Sequence, residues 1–99
     1  MRKLVFIFLN KDARPKEHQS IVTVGAVQMI TIGVKDYDEA CEMAKCFAAE
    51  GVAAIELCGG FGNMGVAKVT EAVSGKIPVG VIRFDNHPGF DGESGDERF

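Results

Sequence analysis

Gly60-Phe61-Gly62-Asn63-Met64-Gly65 forms a G-x-G-x-x-G pattern between a strand-like and a helix-like run. Asp85 closes the next apolar run, twenty residues after the last of these glycines. Strand, glycine loop, helix, strand and terminal acid are the parts of a dinucleotide-binding fingerprint. The chemistry implied is anion binding. Gly59, Gly60 and Gly62, free of Cβ atoms, can take positive φ and admit a ligand close to the backbone. The N–H groups opening the next helix would then face a phosphate or carboxylate. A plain tight turn in which glycine merely fits is the alternative, since the chain holds 12 glycines. A complete dinucleotide site needs further strands, and no strand-like run follows Asp85.

Other reactive side chains gather at the same level. Cys58 stands where a strand meets a helix amino end, a setting that lowers a thiol pKa, and His87 is a candidate base for it. The alternative for Cys58 is a small apolar core residue. Glu56 interrupts an apolar strand, and Arg83 near the end of the next one is its expected partner, as a structural pair or as the holder of a ligand carboxylate. Asp85 and His87 are too few to define a metal centre, and no metal is expected. Asn10 and Arg83 complete the polar set at the strand ends. Asp91, Glu93 and Asp96 read as a solvated acidic tail, while Phe90 and Phe99 suggest that the tail docks, on this chain or across a dimer.

The elements that must carry these groups follow from periodicity. Leu4 to Leu9 and Val27 to Val34 are strand-like. Between them, Pro15 opening a short helix with His18, Ile21 and Val22 on one side is preferred over a strand from Ser20 to Val24, because a parallel pair needs a crossover. Asp36 to Glu50 is helical, with an Asp-x-x-Glu start, an apolar stripe through Tyr37, Ala40, Cys41, Ala44, Phe47 and Ala48, and Gly51 as its stop. Val52 to Leu57 is a strand. A helix carrying Val66, Val69, Thr70 and Val73 ends at Gly75, and Pro78 opens a last strand through Phe84.

The result is an α/β chain, a small three-layer sandwich with a four-stranded, mainly parallel, Rossmann-like sheet in βαβαβαβ order and helices on both faces. Residues 1–85 form one domain and 86–99 a C-terminal tail. Ligands of such sheets bind outside the carboxyl ends of the strands, where Asn10, Gly59, Gly60, Gly62, Asn63, Arg83 and Asp85 converge. A chain of 99 residues buries a modest core, so homo-oligomerisation through an edge or face is expected. The formal charge of −3, with scattered basic residues, argues against nucleic acid as a partner. Three cysteines without a C-x-x-C pair point to a reducing cytoplasm. The apolar opening run is too short for a membrane span.

Val5-Phe6-Ile7-Phe8-Leu9, Ile55-Glu56-Leu57-Cys58-Gly59-Gly60-Phe61-Gly62, and Val79 to Asp85 with the His87-Pro88-Gly89 turn resemble a family of short prokaryotic proteins known only as a domain of unknown function. The resemblance covers nearly the whole length and implies a cytoplasmic α/β protein. It carries over no catalytic residue and no cofactor. Three functions are therefore expected in order: a binder of an anionic metabolite at the sheet rim, a small enzyme using Cys58 or His87, and an oligomeric interaction module without a ligand.

Overall fold

A computed structural model describes all 99 residues. Five strands, β1 (Arg2–Leu9), β2 (Gln19–Val24), β3 (Val27–Val34), β4 (Ala54–Leu57) and β5 (Val79–Val81), form one sheet in the order β2-β3-β1-β4-β5. Helices α1 (Tyr37–Ala49) and α2 (Asn63–Ala72) connect β3 to β4 and β4 to β5. The four expected strands are mutually parallel, so their carboxyl ends share one rim; β2 is antiparallel to β3.

β2 corrects the expected first helix. Arg14 to His18 make only a tight turn, in which the Glu17 and His18 N–H groups donate to the Arg14 carbonyl. Ile21, Val22, Thr23 and Val24 then run as a β-branched strand, which suits a pleated surface better than a helix. Gly25, at φ +56°, turns β2 into β3. The crossover from β1 to β3 is thus made by β2 itself, passing outside β3 before doubling back.

The same substitution of strand for helix removes one layer. The two remaining crossovers advance in one direction across the sheet, so right-handed connections place both helices on one face. Val5, Ile7, Ile30, Ile32, Val34, Ile55 and Leu57 on that face are buried against Ala40, Ala44 and Phe47 of α1 and Val69 of α2. On the opposite face Leu4, Phe6, Phe8 and Met29 are only half-buried, and Glu56 is exposed. The architecture is a two-layer α/β sandwich with a mixed five-stranded sheet.

Local signals set α1. The Asp36 side chain accepts from the Glu39 N–H at 2.9 Å, and Glu39 reaches back to the Lys35 N–H at 2.9 Å, one residue beyond the usual reciprocal partner. Gly51, at φ +80°, follows the last turn. β5 is shorter than expected because the ladder ends after the Ile82 N–H donates to the Leu57 carbonyl, and Arg83 turns away. No helix is long and apolar enough to cross a membrane.

Candidate functional site

The rim above β4 and α2 is filled by the chain's own carboxyl terminus. Residues 86–99 fold back through two short 3-10 turns, Pro88–Phe90 and Gly95–Glu97. Asp96 is thereby delivered to the amino end of α2. Its carboxylate accepts from the Met64 N–H at 3.0 Å, the Gly65 N–H at 3.2 Å and the Tyr37 hydroxyl at 2.7 Å. The Tyr37 hydroxyl in turn accepts from the Gly62 N–H at 3.0 Å. The first N–H groups of the helix after the glycine loop hold a carboxylate, and that carboxylate belongs to the same chain.

The electrostatics agree with that geometry. Burial alone would raise the Asp96 pKa. The Met64 N–H, the Tyr37 hydroxyl, the Gly65 N–H and the Lys68 charge together hold it below its ordinary 3.8. Burial first, and then the bond to Asp96, keep the Tyr37 phenol well above its usual value of 10, so it remains a donor. A depressed carboxylate stabilises the folded form above its unfolded pKa, and that contribution disappears as pH falls through the lowered native value. Acid titration below pH 3.8 therefore loosens the tail. The change is read from Tyr37, the sole tyrosine, and Asp96→Asn abolishes that transition.

The glycines are explained by this packing rather than by positive φ, which none of Gly59, Gly60 and Gly62 adopts. A Cβ on Gly62 would meet the Asp96 carboxylate and the Ser94 hydroxyl, and one on Gly65 the Tyr37 ring. Gly59 lies under the Phe84 ring. At Gly62 the close approach is made by the tail.

The other expected site residues divide into two groups. Gly62, Asn63, Arg83 and Asp85 meet around a small cavity of about 130 Å³, which Ser94 also lines. Arg83 donates to Asn63 Oδ1 at 3.0 Å and to Asp85 Oδ1 at 3.0 Å. At about 30 Å³ per water, that volume holds roughly four waters or one small anionic group, well below the several hundred Å³ of a metabolite pocket. Asn10 stands apart, its Oδ1 accepting from the Asp12 N–H at 2.9 Å beside a different hollow.

Arg83 and Glu56 do not pair. Glu56 points to the helix-free face, where water solvates it, and Arg83 lies beyond the strand end with Asp85. Cys58 Sγ accepts from the Gly60 N–H at 3.4 Å. His87 Nδ1 accepts from the Gly89 N–H at 3.0 Å, and its ring stacks on Phe90 with centroids 4.1 Å apart. No hydrogen bond joins Cys58 to His87. His87 instead belongs to an aromatic cluster that runs through Phe90 to Phe99 and on to Tyr37.

Two features were missed from the sequence. Asp96 carries no local mark that separates it from Asp91 or Glu93, both of which face Arg98. A cleft of about 750 Å³ lies between β2, β3 and α1, with Ile21, Ile30, Met43 and Phe47 as its apolar floor and Lys35 and Glu39 at its rim. The β-branched run Ile21 to Val24 was the signal for it, obscured by the helical reading.

No curated protein and no solved structure matches the chain. A family model described as a family of unknown function (DUF6506) matches residues 2–97. The match spans the sheet, both helices and the tail through Glu97.

Proposed function

The chain belongs to that DUF6506 family, and from this premise we propose that it is a binding domain for a small carboxylate- or phosphate-bearing molecule. The ligand takes the place of the Asp96 carboxylate at the amino end of α2. The observation that carries the reading is the donor set around Asp96: two helix N–H groups and a buried tyrosine hydroxyl converge on one carboxylate. Such a set binds an anion by hydrogen bonds and helix polarity, with Lys68 adding positive charge.

Arg83 and Asn63 adjoin the cradle and offer a second point of contact for a ligand longer than one anionic group. With the tail docked the free volume is small, so a larger ligand requires residues 94–99 to move. Asp96 then acts as an internal competitor. Its local concentration sets how strongly an external anion must bind to displace it.

Asp96→Ala separates this reading from a purely structural tie. Losing hydrogen bonds to a charged group costs about 2 kcal/mol, or roughly 10 °C in melting temperature for a domain of this size. Acetate or inorganic phosphate is expected to restore much of that loss in Asp96→Ala and to shift the Met64 and Gly65 amide resonances, with little effect on the wild type. A folded Asp96→Ala protein whose two amides ignore both anions would refute the proposal.

A further inference from the structure

We propose that two copies of this chain associate through β2, antiparallel and with Ile21 opposite the partner's Ile21, to form one continuous ten-stranded sheet.

β2 is the outer strand, and all six of its residues are exposed. Natural edge strands are protected by charge, proline, bulges or shortness. Gln19-Ser20-Ile21-Val22-Thr23-Val24 has no charge and no proline, and it pairs with β3 without a bulge over its full length. Ile21 is 54% exposed, Val22 60% and Val24 73%, a cost that a partner strand would remove. The opposite edge, β5, has only three residues.

The backbone specifies the register. The Gly33 N–H donates to the His18 carbonyl at 2.8 Å. By antiparallel alternation, Ser20, Val22 and Val24 then bond inward to β3, while Gln19, Ile21 and Thr23 turn their N–H and C=O groups outward. A two-fold axis at Ile21 sets Ile21 against itself and Gln19 against the partner's Thr23. Each of these is a hydrogen-bonded pair, so every outward group of the three residues finds a partner. The Ile21 side chains meet on the helical face, as sheet alternation requires. Lys16 and Glu17 fall beside the uncharged Gly25–Ala26 turn of the second copy, so no like charges oppose.

Ile21 is also part of the floor of the large cleft under α1. Pairing at this edge joins the two clefts across the axis into one symmetric groove. Each chain retains its own core, and six residues of edge form a small interface, so the association is reversible and depends on concentration.

Sedimentation of the full chain from micromolar to near-millimolar concentration tests the pairing, and cysteine scanning tests its register. Hydrogen-bonded antiparallel partners have Cα atoms about 5.5 Å apart, within the range a disulfide spans. Ile21→Cys is expected to cross-link with itself under mild oxidation at least about tenfold faster than Gln19→Cys or Thr23→Cys alone, each corrected for the native Cys41, Cys46 and Cys58. Mixing the Gln19→Cys and Thr23→Cys proteins should restore fast cross-linking. Ile21→Lys, which opposes two like charges at the axis, should sediment as a monomer. A wild type that stays monomeric throughout, a folded Ile21→Lys protein that still dimerises, or equal self-cross-linking at all three positions would each overturn the proposal.

Discussion

Gly95→Ala detaches the carboxyl terminus from the rim and lowers stability by about 3 kcal/mol, or about 15 °C in melting temperature for a domain of this size. A Cβ at residue 95 would fall on the Gly60 carbonyl oxygen, and backbone on both sides leaves no flexible side chain to yield. The strain is relieved by releasing the tail. With it go the three hydrogen bonds to Asp96 and the packing of Phe99 on Tyr37 and Phe90. Hydrogen exchange at Met64 and Gly65 should rise together with the loss of stability. Gly92→Ala is the control: φ there is +82° and no atom lies near the added methyl, so only the conformational penalty of about 1–2 kcal/mol applies. A Gly95→Ala protein as stable as the wild type would mean that the tail is not docked at this carbonyl.

Ile7→Ala is expected to cost about 4 kcal/mol, a large fraction of the roughly 5–15 kcal/mol typical of a small domain. Ile7 is fully buried at the centre of the sheet, level with Ile32 on one side and Leu57 on the other, on the face that carries both helices. Its neighbour Phe6 points to the open face and is only half-buried, so Phe6→Ala should cost about half as much despite removing a larger side chain. Urea unfolding measures both. Equal losses would mean that the second face is covered, which a two-layer molecule does not provide.

Much of the fold was legible because its cues are local. The Asp36 cap, the stripe from Tyr37 to Phe47 and Gly51 delimit α1 without reference to the rest of the chain. The apolar runs around Ile7, Ile32 and Ile55 mark strands buried on at least one face. Residues 19–24 were not legible in the same way. His18, Ile21 and Val22 fit a helical spacing, and the preference for strand became effective only where β3 offered an open edge. Local propensity is weak beside the gain from completing a sheet. Once β2 took the crossover, no helix remained to cover the second face.

The candidate site divides along the same line. The sequence by itself determined that a glycine loop would stand between β4 and α2 and that Asn63, Arg83 and Asp85 would lie near it, since parallel strands bring successive carboxyl ends to one rim. At Gly62 it left open a ligand's close approach or a plain tight turn, and a side chain there would meet Asp96 and Ser94. What passes there was decided only by the tertiary structure. Asp96 lies more than thirty residues from Met64 in the chain, and no short-range pattern distinguishes it from the other tail carboxylates. The donors of α2 and Tyr37 select it because two turns of the folded tail bring that carboxylate, and no other, within hydrogen-bonding distance of them.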